Sequence, residues 1–392
     1  MAVKRLAMGV IVAAGLAGLP GCVGENQASA PAAAAIKKGG DERNGGYLAP
    51  ANWWKPAPEH TGQCATQVVC NDGWGWGEVS GLVADSPNRI IVAVWGDRGY
   101  GSEDGGRPNS TNYMVEVDGE GNLIKRWAQY DTMMNTPHQV YINPYDPERH
   151  IWLVERGGNN GRYDIHEQIF EFTNDGGRIV NRLIDPKVVG SQSEDRQVTK
   201  PGPFDYGQAS VMTFLPNGDM LVGDGYWNGR IIRYNAKGEY ISEFGSVGNG
   251  PGQFDLIHGI AVDREHRIYV ADRQNNRVQV FTETGEFIEE WPDITNPAGI
   301  YMDENENVWV VSATLNRLSK YNKNGEYLYS FGAYGGTRGG FAGGLSRPHQ
   351  ITVDSDGNLY VASWDGGWAN KFTPAPGHDP NKVIGKELVL QK

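Results

Sequence analysis

The sequence predicts an all-β protein, a six-bladed β-propeller, from its glycine content, its regularly spaced turn clusters and an internal repeat. The chain of 392 residues contains 54 glycines, roughly twice the ordinary share, and they do not follow the three-residue period of collagen. Glycine-containing clusters such as 118–122, 236–239 and 354–358 separate short stretches rich in β-branched and aromatic residues. Such clusters are typical of hairpin turns, so the sequence favours a turn-dense β architecture.

The internal repeat sets the number of blades. Its clearest copy runs from Ile257 to Ile288 and contains four strand-like stretches joined by turns. The same plan begins at six places along the chain, at Ser80, Pro137, Gln208, Ile257, Pro297 and Pro348. Six four-stranded sheets arranged radially form a closed ring, whereas a β-sandwich would not explain the self-similarity. The sixth copy shows three strands before Pro374, so we expect closure either by the tail 382–390 or by an N-terminal strand.

The first residues have the pattern of an export signal. Lys4 and Arg5 precede an apolar run at 6–19, which is too short to span a bilayer as a helix but suits a secretory signal. The run ends at Cys22 after a small residue, which resembles the bacterial lipobox and predicts cleavage before Cys22 and lipidation of its thiol. We therefore predict a lipoprotein-type signal peptide at 1–21, a flexible tether at 22–45 and the propeller at 46–392.

Processing and composition limit the location and the partners. Ordinary secretory cleavage after Ala30 is the alternative, so we expect either a periplasmic or outer-membrane-anchored lipoprotein with a lipid anchor, or a secreted protein. In an exported chain, Cys64 and Cys70 are expected to form a small disulfide loop. The net charge of -12 argues against nucleic-acid binding, because phosphate backbones attract basic surfaces. We expect a monomer with a small-molecule or peptide substrate that carries a carboxylate.

Three histidines recur at one position of the repeat. His138, His258 and His349 stand just before the apolar start of the innermost strand in the second, fourth and sixth copies. The matching residues of the first, third and fifth copies are Ser80, Ser210 and Ala298. Because alternate blades of a six-bladed ring lie about 120° apart, these imidazoles should converge on the central axis. Three histidines with an open fourth position are typical of catalytic zinc, although a single buried histidine is more often structural.

Polar residues follow the second strand of three copies. Arg156 and Arg273 occupy this place in the second and fourth copies, and Tyr226 lies beside the matching place in the third. An arginine near a metal suits an anionic substrate, and a tyrosine there can serve as a base. The alternative is that each arginine forms a surface salt bridge and that Tyr226 only packs.

The motifs resemble those of a known family. The segments DGYWNGRI at 224–231, GPGQF at 250–254, ADRQNNRVQ at 271–279 and PH at 348–349 are similar to the NHL-repeat propeller of peptidyl-α-hydroxyglycine α-amidating lyases. The resemblance extends over about 135–370. It implies a zinc ion (Zn²⁺) held by His138, His258 and His349, with Tyr226 as base and Arg273 beside it. It also implies cleavage of a C-terminal α-hydroxyglycine to a peptide amide and glyoxylate.

The sequence departs from the family at several positions. Trp95 stands where the family has a second active-site arginine, and Arg98, three residues later, is our candidate replacement. Trp227 stands at a family half-cystine and Arg347 at a methionine. Gln350 stands where the family has an acidic residue tied to structural calcium. A Ca²⁺ site is therefore doubtful here, because it would lack that carboxylate ligand.

The sequence therefore leads to one preferred function and two alternatives. The preferred hypothesis is a zinc-dependent carbon–nitrogen lyase that cleaves an N-acyl α-hydroxyglycine-like substrate to an amide and glyoxylate. Its catalytic residues would be Tyr226, Arg273 and Arg98. The first alternative is a non-catalytic NHL propeller that acts as a binding platform or scaffold at the cell surface. The second is a propeller hydrolase or lactonase, which usually needs channel carboxylates rather than three histidines.

Overall fold

The computed structural model describes residues 43–63, 70, 74–99, 111–157, 167–184, 201–336 and 341–391. The predicted signal peptide, Cys22, most of the predicted tether, Cys64 and the side chain of Arg98 lie outside this description. Cys70 forms a disulfide bond. Within the described ranges, no helix has both the length and the apolar character needed to cross a bilayer.

Six four-stranded antiparallel sheets form the body of the described chain. We number these blades one to six in chain order. Blade one consists, from the inner to the outer edge, of Val79–Ser86, Arg89–Val94, Met114–Val117 and Leu123–Arg126. Blade two consists of Pro137–Ile142, Ile151–Glu155, Gln168–Phe172 and Ile179–Leu183. Blade three consists of Val211–Phe214, Met220–Asp224, Arg230–Tyr234 and Tyr240–Phe244.

The second half of the ring repeats this plan. Blade four consists of Ile257–Val262, Ile268–Asp272, Arg277–Phe281 and Phe287–Trp291. Blade five consists of Pro297–Met302, Val308–Ser312, Arg317–Tyr321 and Tyr327–Phe331. Blade six consists of Pro348–Val353, Leu359–Ser363, Trp368–Pro374 and, at its outer edge, the N-terminal strand Tyr47–Leu48. The innermost strand of each blade contacts that of the next, and blade six contacts blade one, so the all-β six-bladed propeller is confirmed.

The minor elements lie between the blades. Two small sheets pair Trp74–Trp76 with Asp97–Gly99 and Ser246–Val247 with Gln253–Phe254. Short 3₁₀ helices in the described chain cover Pro58–Gln63, Ala128–Met133 and Pro380–Lys382.

The ring is closed by the N-terminal strand rather than by the tail. Tyr47 and Leu48 pair antiparallel with Pro374 and Thr373, which supplies the fourth strand that the sixth copy lacks. The tail instead crosses the end of the channel where the inner strands finish, and its Leu388 and Leu390 line a cavity of about 90 Å³ there. Of the two segments that the sequence offered for closure, the N-terminal strand completes blade six and the tail lines the end of the channel.

The hydrophobic core is divided into layers between adjacent blades. One layer joins blades one and two around Trp127 and Phe170, and another joins blades six and one around Trp54 and Trp368. All four side chains are fully buried. Because each blade packs on both neighbours, the apolar strand faces hold the inner strands in a fixed ring around the axis.

Candidate metal centre

The structure brings the three repeated histidines together at one end of the inner strands. His138, His258 and His349 are each the second residue of the innermost strand of an even-numbered blade. Their side chains are buried, and one ring nitrogen from each lies within 4.8 Å of the other two. The ring centroids are 4.6–4.9 Å apart. This convergence is the geometry expected from the alternation in the sequence.

Each imidazole is oriented by the backbone of the following odd-numbered blade. The Nδ1 atoms face the carbonyl oxygens of the residues that occupy the histidine position in that blade, pairing His138 with Ser210, His258 with Ala298 and His349 with Ser80. A carbonyl only accepts, so Nδ1–H donates in every case. This bond selects the tautomer whose Nε2 lone pair is free to bind a metal.

The electrostatics keep the three imidazoles neutral. Burial lowers the pKa of all three, and the guanidinium of Arg273 contributes to each depression. Neighbouring histidines also lower the pKa of His138 and His258, and Arg156 lowers that of His138 and His349. For His349, burial followed by Arg273 lowers the pKa to about 3. Neutral imidazole is the form that binds metal, and a three-nitrogen donor set suits Zn²⁺ with one position left for a further ligand. The residues present therefore fit a zinc ion.

Tyr226 lies against the open side of this cluster. Its hydroxyl oxygen is 3.1 Å from Nε2 of His138 and 3.3 Å from Nε2 of His258. The adjacent Gly225 permits this approach, since a Cβ there would lie 2.1 Å from the Ile257 carbonyl oxygen. The tyrosine hydroxyl is thus beside the position where a substrate atom would meet the three nitrogens.

A buried carboxylate fixes the loop that carries Tyr226. Asp224 ends the second strand of blade three and accepts hydrogen bonds from the Gly207 backbone N–H at 2.7 Å and from Arg230 Nε at 2.9 Å. Asp272 has the same role in blade four, where Arg277 Nε donates at 2.8 Å. Burial raises the pKa of both carboxyl groups, while their hydrogen bonds and arginine partners oppose that rise. These pairs position the residues that follow each strand.

The residues after the second strands form a ring around a cavity. The cavity has a volume of about 300 Å³, and His138 and His349 contribute to its lining. Every blade supplies one residue to this ring, which in blade order consists of Trp95, Arg156, Tyr226, Arg273, Ala313 and Trp364. The repeat therefore places chemically different side chains at equivalent positions around the candidate metal centre.

Arg273 faces the cavity from blade four. Its backbone N–H donates to the Leu256 carbonyl at 2.9 Å, which fixes the start of its loop. Its Nε is buried and has no hydrogen-bond partner within the described parts of the chain. A buried N–H donor without a protein partner is costly unless a ligand or water satisfies it. Arg273 is thus suited to binding an anionic group in the cavity.

The opposite part of the ring is aromatic. Trp95 and Trp364 contact edge to face, with ring centroids 5.8 Å apart. The Trp95 indole N–H donates to the Pro137 carbonyl at 3.0 Å, next to the first histidine. At the cavity mouth, the Arg347 guanidinium lies 5.7 Å from the Trp364 ring. Sequence reasoning did not assign Trp364 or Arg347 a place in the site, although both stand at repeated positions.

Gln350 occupies the position that the family resemblance ties to calcium. Its Oε1 accepts hydrogen bonds from the Leu82 and Val140 backbone N–H groups at 3.0 and 3.2 Å. Its Nε2 donates to the Val140 carbonyl oxygen at 2.8 Å. Calcium needs several oxygen ligands, and here the amide uses its one oxygen to accept from two backbone donors. The residues present therefore do not fit a calcium ion.

A second cluster with metal-ligand chemistry among the described residues has a structural explanation. His150 Nδ1 lies 2.8 Å from an Asp146 oxygen and 3.0 Å from a Glu171 oxygen. Asp146 also accepts from the Glu148 and His150 backbone N–H groups. The same turn is closed by Asp263 in blade four. Asp146 and its partners thus form the blade-two version of a repeated turn.

Comparisons with known proteins agree with this architecture. Residues 254–281 match the NHL repeat. The chain is a six-bladed propeller whose fourth blade matches the NHL repeat. It is 24% identical over 339 residues to peptidyl-glycine alpha-amidating monooxygenase A of Xenopus laevis. This alignment covers 80% of this chain and 33% of that protein. It is 26% identical over 306 residues to a Caenorhabditis elegans protein named as a probable peptidyl-alpha-hydroxyglycine alpha-amidating lyase, covering 73% of this chain and 79% of the other.

A solved structure supports the propeller fold. A streptogramin B lyase structure aligns with a TM-score of 0.50 and 16% identity, over 77% of this chain and 97% of that one. This likeness concerns the fold alone. The chain spans about a third of the length of the Xenopus enzyme and about half that of a similar mouse NHL repeat-containing protein. The resemblance to amidating lyases predicted from the sequence is thus confirmed as a sequence similarity at low identity.

Proposed function

We propose that this NHL propeller is a zinc-dependent lyase that cleaves N-acyl α-hydroxyglycine-like compounds to an amide and glyoxylate. The observation that carries the proposal is the convergence of three neutral, backbone-oriented imidazoles beside the Tyr226 hydroxyl. The similarity to proteins named as amidating lyases supports the choice of reaction. A bound zinc ion would supply a Lewis acid that polarises the substrate hydroxyl.

Tyr226 is the proposed base. The reaction removes the proton of the α-hydroxyl group, forms the aldehyde C=O bond and breaks the C–N bond, and the departing amide nitrogen gains a proton. The Tyr226 oxygen lies near two Nε2 atoms, so a hydroxyl beside those nitrogens would also be within reach of the phenolic oxygen. Proximity of this kind is the first requirement for general base catalysis.

Arg273 is the proposed partner of the substrate carboxylate. Its buried, unsatisfied Nε faces the same cavity as Tyr226. A guanidinium holds a carboxylate through charge-assisted hydrogen bonds, which would direct the α-carbon toward the tyrosine. The same interaction would remain with the glyoxylate carboxylate after the C–N bond breaks. Arg98 remains a prediction from the sequence, with its side chain outside the described structure.

The direct test is glyoxylate release from N-benzoyl-α-hydroxyglycine by the purified zinc-loaded chain. A His258→Ala variant should lose the activity because it removes one of three nitrogen donors. His266→Asn is the matched control, since His266 lies in the same blade but pairs with Glu283 away from the cavity. Activity that survives His258→Ala, or an inactive wild-type chain that nevertheless binds one zinc, would contradict this function.

The binding-platform alternative makes a different prediction. A scaffold propeller has no need of zinc, so the wild-type chain and His258→Ala should contain equally little metal after loading and gel filtration. Zinc retained by the wild type and lost from the variant would argue against the scaffold, because three converging nitrogens would then be a metal site.

A further inference from the structure

Arg156 is a buried guanidinium in the cavity wall. It follows the second strand of blade two, the position held by Trp95 in blade one and by Arg273 in blade four. Its side chain is buried, and its electrostatic effect extends to both His138 and His349. Arg156 therefore lies on the blade-two side of the candidate metal centre, separated from Arg273 by Tyr226 in the ring.

Two aromatic rings hold this guanidinium. The Arg156 Cζ atom is 5.0 Å from the Trp95 ring centroid and 4.9 Å from the Tyr226 ring centroid. Both rings are themselves fixed, Trp95 by its bond to the Pro137 carbonyl and Tyr226 by its contacts with two histidines. Stacking on aromatic faces fixes the plane of a guanidinium, and its several N–H donors point outward in that plane, which is the geometry that binds a planar anion.

The charged side chains that line the described part of the cavity are all positive. Among the described residues that line it, three are arginines and none is acidic. Arg347 lies at the mouth and is half exposed, whereas Arg156 lies deep, beside the tyrosine and the imidazoles. A carboxylate that approaches Tyr226 would thus meet Arg273 on one side and Arg156 on the other.

We propose that Arg156 is a second carboxylate-binding residue, supplied by blade two, and that Trp95 serves as the platform that holds it. This proposal rests on the proposed lyase function, because it assigns the group that orients the α-hydroxy acid end of the substrate. The tryptophan in blade one and the arginine in blade two act as one unit. Binding to this unit requires an anionic carboxylate rather than a neutral carboxamide.

The test compares two ligands that differ only in this group. Calorimetry with the zinc-loaded chain measures binding of N-benzoylglycine, which has a carboxylate, and of N-benzoylglycinamide, which does not. Arg156→Met should weaken the carboxylate ligand by about tenfold or more and leave the carboxamide nearly unchanged, since truncating a buried partner of a charge pair is costly. Arg156→Lys should recover part of the loss, because it keeps the charge without the planar stacking.

The controls separate this role from folding and from catalysis. Arg182→Lys is the matched control, since Arg182 lies on the outer strand of the same blade and pairs with Gln168. Equal weakening of both ligands by Arg156→Met, or no preference of the wild type for the carboxylate, would overturn the proposal. A carboxylate-selective loss in a chain that releases no glyoxylate would support Arg156 and reject the lyase function instead.

Discussion

The Nδ1–H of His258 donates to the carbonyl oxygen of Ala298 at 2.8 Å, and Ala298 occupies in blade five the position that His258 occupies in blade four. The same relationship joins His138 to Ser210 and His349 to Ser80. Even-numbered blades thus provide the imidazoles and odd-numbered blades the carbonyl groups that orient them. A repeat with histidine in every blade would crowd the axis, whereas alternation leaves room for a three-nitrogen site.

This arrangement predicts a single zinc ion per chain. Zinc should raise the melting temperature, since a ligand that binds only the native state stabilises it by about 2.7 kcal/mol at a free concentration one hundred times its dissociation constant. Removing one nitrogen donor with His349→Ala should abolish this shift, while His266→Asn should keep it. Thermal unfolding with and without zinc, together with metal analysis, measures the effect. A shift of equal size in both variants would place the zinc elsewhere.

The hydroxyl of Tyr226 should matter for turnover and not for metal content. Tyr226→Phe keeps the ring that contacts Arg156 and removes only the oxygen near the two Nε2 atoms. We expect glyoxylate release to fall about 10²–10⁴-fold, the usual contribution of a positioned base. Zinc content should stay at the wild-type value. Tyr240→Phe is the control because Tyr240 is exposed on blade three, and activity of Tyr226→Phe within a few fold of wild type would exclude the base role.

The repeat explains how much could be predicted from the sequence. The fold and the convergence of His138, His258 and His349 follow from counting equivalent positions. In a closed ring, each successive copy of the repeat is rotated by a fixed angle about the central axis. The carbonyl partners were visible as the matching residues Ser80, Ser210 and Ala298, but their role was not, since a backbone acceptor has no side-chain signature.

Other features depend on contacts that a sequence period does not contain. Tyr47–Leu48 is a two-residue strand, too short to show alternation, and its partner strand lies more than 300 residues away. To predict that Arg156 lies between the rings of Trp95 and Tyr226, one must know both the order of three blades and the direction of each side chain. The sequence did place Arg156 after the second strand of its copy, and Trp364 could have been found by taking the same position in all six copies rather than in three.

Gln350 should make stability independent of calcium. Its amide joins the inner strands of blades one and two through three hydrogen bonds. Gln350→Ala leaves buried backbone groups without this partner and should lower the free energy of unfolding by roughly 1–3 kcal/mol. Denaturant unfolding with calcium and with chelator should agree for the wild type. Gln274→Ala, an exposed change in blade four, is the control, and a calcium-dependent midpoint would contradict this interpretation.

Ring closure by the N-terminal strand can be tested with two adjacent residues. Tyr47 is buried, with ring centroids 5.7 Å from Phe331 and 6.0 Å from Phe372, and its hydroxyl accepts from the Ile384 backbone N–H at 2.6 Å. Tyr47→Ala should lower the free energy of unfolding by about 3–5 kcal/mol, as for other large aromatic deletions. Leu48 is 57% exposed, so Leu48→Ala should change stability by less than about 0.5 kcal/mol. Similar unfolding curves for the two variants would mean that this strand does not close the ring.

An ion pair within blade one, between Arg89 and Glu116, predicts a loss of stability in acid. Burial alone would raise the pKa of Glu116, but hydrogen bonds from Arg89 and Trp127 and the charges of Arg89 and Lys125 lower it overall. Arg89 Nε donates to Glu116 at 2.7 Å, and Arg89 also donates to Asn174 of blade two. The depressed pKa means that the unfolded chain binds a proton at higher pH than the native chain. The stabilisation is therefore complete above the unfolded pKa of about 4.3 and is lost as the pH falls through the native value.

The measurement is the free energy of unfolding of wild type and Glu116→Gln between pH 7 and pH 3. Near neutral pH the variant should be less stable by roughly 1–3 kcal/mol, because Arg89 keeps a neutral acceptor in place of a charged one. The difference should shrink below pH 4.3, since protonation makes the wild-type carboxyl resemble the amide. A difference that stays constant across this range would show that Glu116 contributes through packing and not through its charge.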